Sequence, residues 1–96
     1  MKHYIIAKFL PEVTKEQKAA MLPEIKALFG NLTELNGIHG VSVEPNCIDR
    51  PNRADIMIEI EMERDALPVY DGCIWHKQWK EQYGKLLESK TIFDRE

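Results

Sequence analysis

The segment from His3 to Leu10 constrains this chain more than any other. It is rich in branched and aromatic residues and apolar on both alternating faces, with Ile5, Ala7 and Phe9 on one and Tyr4, Ile6 and Leu10 on the other. A strand with this pattern is covered on both sides, since either bare face would leave apolar surface in water. Pro11 stops it, because proline has no N–H to give to a ladder. At 96 residues the chain is expected to form one domain, residues 1–96, with one modest core. Its helices suffice for one face of a sheet. The other face needs a different cover, and a second copy of the chain would supply it.

The remaining elements follow from local chemistry. Thr14 and Gln17 fit a capping box, in which hydroxyl and amide satisfy free N–H groups of a first helical turn. Met21, Leu22, Ile25, Leu28, Phe29 and Leu32 then recur at three- and four-residue steps, one apolar stripe for packing on a sheet. Pro23 cannot bond the Ala19 carbonyl and predicts a kink or a restart, and Gly30-Asn31 predicts the stop. Asn36-Gly37 reads as a turn before a strand over Ile38 to Glu44. Pro45 to Arg53, with its prolines, asparagines and mixed charges, predicts an exposed, mobile connection without structure of its own.

Ala54 to Glu63 alternates with period two, Ile56, Ile58, Ile60 and Met62 against Asp55, Met57, Glu59 and Glu61. Arg64 to Val69 predicts a short helical turn and Asp71-Gly72 a break. Ile74 to Ser89 predicts a helix with Trp75, Trp79, Tyr83, Leu86 and Leu87 as its stripe, and Lys90 to Asp94 a last strand. The order strand, helix, two strands, helix, strand predicts an α+β, ferredoxin-like split βαβ subunit: an antiparallel four-stranded sheet with helices on one face.

Charge and composition exclude several classes. The 13 basic and 16 acidic side chains are interspersed and sum to −3, so no broad positive field exists for nucleic acid or an anionic membrane surface. No apolar run approaches the ~20 residues of a membrane span, and the one at the N-terminus, broken by Lys8, is too short for a signal-peptide core. Cys47 and Cys73 are too few for a disulfide scaffold, so free thiols in a reducing cytoplasm are expected. The cysteines lack metal-ligand spacing with any histidine pair and the glycines follow no phosphate-binding pattern, so neither metal nor cofactor is expected.

Chemistry concentrates between Tyr70 and Tyr83. Here Tyr70 and His76, which can donate, accept and shuttle protons, lie among Trp75, Trp79 and Tyr83. This is the composition of a small, mostly apolar pocket with a few polar groups, and equally that of an ordinary packed helix. His3, on the first strand, is a further candidate for the pocket wall.

With these elements in place, the sequence resembles the stress-responsive α/β-barrel domain family, the dimeric α/β-barrel proteins. The resemblance rests on Lys2-His3 leading the first strand to Lys8-Phe9, the Val13-Thr14 helix start with Glu16 and Gln17, the acid-rich third strand, the approach from Tyr70 to His76, and the closing Ile92-Phe93-Asp94. It implies a homodimer whose two sheets pack face to face into a barrel. A plant polyketide cyclase of this kind has its catalytic tyrosine and histidine at the six-residue step seen between Tyr70 and His76, and a histidine near the start of its first strand, as His3 is here. Carried over, His76 is the general base and Tyr70 its hydrogen-bonding partner in an aldol-type cyclisation or related proton transfer, a role histidine suits because it titrates near neutral pH. Trp75, Trp79, Tyr83 and His3 would bind a small apolar or aromatic ligand. The chain departs from the family's His-Pro-x-His segment, having Cys73-Ile74-Trp75-His76 instead. A non-enzymatic dimerisation or stress-protection module, and a cofactor-independent monooxygenase of the antibiotic-biosynthesis type, stay open beside a ligand-binding or lyase-type protein.

Overall fold

In the computed structural model, which describes Met1 to Glu96, the chain forms β1 (Lys2–Phe9), α1 (Lys15–Gly30), β2 (Ile38–Pro45), β3 (Ile56–Met62), α2 (Leu67–Asp71), α3 (Ile74–Tyr83) and β4 (Leu87–Arg95). The strands make one antiparallel sheet in the order β2-β3-β1-β4, so the first strand is central. This is the ferredoxin-like α+β arrangement that the order of elements implies.

The alternation in β1 and β3 decides which face the helices cover. Ile5, Ala7 and Phe9 of β1 and Ile56, Ile58, Ile60 and Met62 of β3 are buried beneath the helices. There they meet Ile25 and Phe29 of α1 and Trp79 and Tyr83 of α3 in one continuous core. Each such large side chain contributes about 1.5–3 kcal/mol through its burial. The Phe29 and Trp79 rings meet edge to face with centroids 5.2 Å apart, fixing α1 against α3.

The opposite face carries no helix. Residues paired across an antiparallel ladder share a face, so the pairs Tyr4 with Phe93 and Ile6 with Met57 put four large apolar side chains there. Phe93 is 59% and Met57 41% exposed. Lys2, Glu59 and Glu61 lie on the same face, with Glu59 directly across from Tyr4 and 3.7 Å from Lys2 Nζ.

Two boundaries differ from the sequence expectation. The helix does not restart at Pro23: α1 runs from its Thr14 capping box to Gly30 with Pro23 inside it. Pro23 and Ala19 both lie on the solvent side of α1, where water can satisfy the carbonyl that proline cannot. The last helix, expected to reach Ser89, ends at Tyr83, and Leu87 to Ser89 belong to β4. The edge of β1 wins over the helical stripe here. The Leu10 N–H donates to the Leu86 carbonyl at 2.8 Å, and Phe9 and Lys8 pair with Leu87 and Ser89.

One side-chain bond ties α3 to α1 and carries a pH dependence. The Tyr83 hydroxyl donates to Glu24 Oε1 at 3.1 Å. Burial, then this bond and the charge of Glu24, push the Tyr83 phenol up to about 12. Up to the ordinary phenol value near ~10 both folded and unfolded phenols are protonated and the full contribution is present. Above that, the unfolded phenol ionises first, and the contribution is lost as pH rises toward about 12. Thermal unfolding across pH 8 to 12 should therefore show a steeper alkaline fall for the wild type than for Tyr83→Phe. Parallel curves would remove this role for Tyr83.

Candidate functional site

The β1/β4 register and the break between α2 and α3 together build one cavity. Antiparallel pairing sets His3 directly opposite Asp94 on the helix-covered face. There His3 Nδ1 and Asp94 Oδ1 are 2.5 Å apart. A carboxylate only accepts, so Nδ1 carries the proton and Nε2 is left free of protein partners. Tyr70 lies in the last turn of α2, which Gly72 caps. Cys73 then restarts the chain as the N-cap of α3, its Sγ accepting the His76 N–H at 3.4 Å, so His76 falls in the first turn of the new helix.

This geometry converges on the Tyr70 ring. The His3 ring lies 5.3 Å and the His76 ring 4.5 Å from it, centroid to centroid. The His76 Nδ1–H donates to the Asp71 carbonyl at 3.0 Å, which again leaves Nε2 as the nitrogen without a protein partner. His3, Tyr70, His76, Trp79 and Asp94 line one cavity of about 420 Å³, floored by Ile5 and Ile92. Lys80 and Lys90 also line it.

The Tyr70 hydroxyl is buried and has no hydrogen-bond partner. An unpaired buried hydroxyl costs about 1–3 kcal/mol. Burial, with smaller contributions from Cys73 and Asp71, pushes its pKa well above the ordinary phenol value. Tyr70 is therefore a neutral donor at physiological pH and not a base. Two imidazoles with free Nε2 atoms beside a phenol ring are the groups that can pass a proton and hydrogen-bond an oxygen that gains negative charge.

Not every residue singled out from the sequence lines this cavity. Trp75 is half-buried against the core, and Tyr83 packs on Trp79 with centroids 5.5 Å apart. Neither belongs to the lining. Asp94 is the member that local reading passed over. The antiparallel pairing of first and last strands was its signal. Cys47 and Cys73 are unpaired thiols, no group of three or more His, Cys, Asp or Glu is placed to hold a metal ion, and no helix is long and apolar enough to cross a membrane.

No family model and no curated protein matches the sequence. Solved structures do match the fold. A dimeric protein of unknown function with a ferredoxin-like fold from Bacteroides fragilis superposes with a TM-score of 0.82 at 20% identity, over 99% of this chain and 93% of its own. A dabb family protein from Mesorhizobium loti gives 0.74 at 10% identity, covering 99% and 93%. A hydroxynitrile lyase from Passiflora edulis gives 0.69 at 10% identity, covering 96% and 87%. The chain thus has the ferredoxin-like fold shared by these proteins, among them a member of the dabb family, the stress-responsive α/β-barrel family that its sequence resembles.

Proposed function

We propose that this chain is a cytoplasmic stress-responsive α/β-barrel subunit that works as a homodimer, and that its cavity binds a small apolar or aromatic carbonyl compound and moves a proton from the carbon beside the carbonyl. The Tyr70 ring, set between two imidazoles and carrying a buried, unpartnered hydroxyl, supports this reading. A ligand oxygen that reached that orphaned donor would relieve its cost, more so as the oxygen gains enolate character, which is the condition for catalysis rather than binding alone. His76 Nε2 takes the proton. His3, held by Asp94, forms the facing wall, and Trp79, Ile5 and Ile92 supply the apolar surface. A cavity of about 420 Å³ at this point weighs against a dimerisation module filled with side chains. The Passiflora relative is named as a lyase and has the same fold, which agrees with lyase-type chemistry here.

Acetophenone in deuterated buffer tests this directly, since loss of its methyl proton signal reports removal of a proton beside a carbonyl. The wild type should accelerate exchange saturably, and Tyr70→Phe should slow it by about tenfold, the worth of one hydrogen bond to a charged oxygen. Wild-type exchange no faster than in buffer with an equal concentration of imidazole would overturn the reading.

A further inference from the structure

The connection between β2 and β3 is exposed and forms no helix or strand, as its composition predicts, but hydrogen bonds tie it to the body of the subunit. Asn46 brackets it: its backbone N–H donates to the Asp55 carbonyl at 2.9 Å and its side chain to the Ala54 carbonyl at 3.0 Å. The Ile48 N–H donates back to Asn46 Oδ1 at 3.0 Å. Lys8 Nζ donates to the Pro51 carbonyl, and the Asp55 carboxylate joins the loop to β1 and α1 through the Phe9 N–H at 2.7 Å and Lys18 Nζ at 2.9 Å.

Held in this way, the loop walls a second cavity of about 260 Å³ against α1, at the Phe9 end of β1 and away from His3. Phe9, Leu22, Ile48 and Ile56 give it an apolar lining. Ile48 remains 43% exposed in spite of its size. Four cations also line it, Lys15, Lys18, Arg50 and Arg53, against two carboxylates, Asp49 and Asp55. Both carboxylates are already taken, Asp49 by Lys15 at 3.0 Å and Asp55 by Lys18. The guanidiniums are left without one. Arg53 is only half exposed, and its head bonds nothing but the neighbouring Asn52 amide oxygen, at 2.9 Å.

We infer that this cavity is a second ligand site, distinct from the Tyr70 cavity, for a small aryl oxyanion: one aromatic ring with a carboxylate or phosphate head. The ring would lie on Phe9, Leu22, Ile48 and Ile56, where it covers the exposed Ile48. The head would take Arg53, with Arg50 beside it, because a guanidinium offers paired N–H donors that match a planar or tetrahedral oxyanion. Neither the volume nor the charge suits a long chain or a cation.

Amide NMR titration with phenyl phosphate and with benzoate tests this, with benzyl alcohol as the neutral counterpart. Saturable shifts are expected at the amides of Phe9, Ala54, Asp55 and Ile56 for both anions, and at least about tenfold weaker binding of benzyl alcohol, the worth of a charge-assisted hydrogen bond. Arg53→Gln should weaken phenyl phosphate by about tenfold or more while leaving the rest of the spectrum in place. Arg50→Gln, at an exposed position, provides a second reading should Arg53→Gln disturb the fold, and should weaken binding in the same direction. The site is overturned by anion shifts confined to the residues around Tyr70, by equal binding of benzyl alcohol, or by unchanged affinity in a folded arginine variant.

Discussion

His76→Ala is expected to slow deuterium exchange into acetophenone by about 10²- to 10⁴-fold, the usual worth of a positioned general base. The variant should keep its fold. His76 is only half-buried and its ring makes one hydrogen bond, to the Asp71 carbonyl. The geometry also predicts a ranking. The His76 ring lies beside that of Tyr70 and has a free Nε2, whereas the Tyr70 phenol is held protonated by burial and does not take up a proton. Removing the base should therefore cost more than removing the donor. A His76→Ala protein that exchanges at the wild-type rate, with circular dichroism unchanged, would take the proton-transfer role away from this residue.

The second large effect concerns the bare face of the sheet. Phe93→Asp is expected to convert a dimer into a monomer, raising the dissociation constant by at least about 10²-fold, because a carboxylate buried in an apolar interface without a partner costs several kcal/mol. Phe93 lies across the ladder from Tyr4 on the face without helices and is 59% exposed. Its substitution should therefore leave the subunit core intact. Ile74→Asp is the matched control. Ile74 is even more exposed, at 67%, but belongs to α3 and not to this face, so that variant should stay dimeric. Light scattering at micromolar concentration decides the matter, and a folded wild-type monomer would end the dimer proposal.

The parts of this fold that could be read in the sequence are those fixed by neighbours in the chain. The alternation of Ile56, Ile58, Ile60 and Met62 gives β3 because period two is a local property, and Thr14 with Gln17 gives the start of α1 for the same reason. Where distant partners compete, local pattern misleads. Leu86 and Leu87 continue the helical stripe of α3, yet the hydrogen-bonding edge of β1 draws them out of it.

The candidate site divides along the same line. Tyr70 and His76 could be paired because six residues and one glycine break separate them. Asp94 could not be read from any local window, since its partner His3 lies on the first strand. Trp75, Trp79 and Tyr83 share a stripe, but a stripe says which face of a helix is inward and not which part of it borders a cavity. Only Trp79 of the three does. The loop that follows Pro45 is exposed and without helix or strand, as its composition says, but composition does not say how it is held. Prolines and asparagines that signal a turn can also be the residues that tie it down, as Asn46 does.

The hydrogen bond between His3 and Asp94 joins positions 91 apart. Contacts of such high sequence order form late, because closing so long a loop costs entropy that only the surrounding structure can repay. During synthesis His3 emerges early, yet its carboxylate partner must wait until the end of β4 has left the ribosome and zipped onto β1. The His3–Asp94 wall is thus absent from any chain made short of β4, and the cavity around Tyr70 and His76 is complete only when the last strand has joined the sheet.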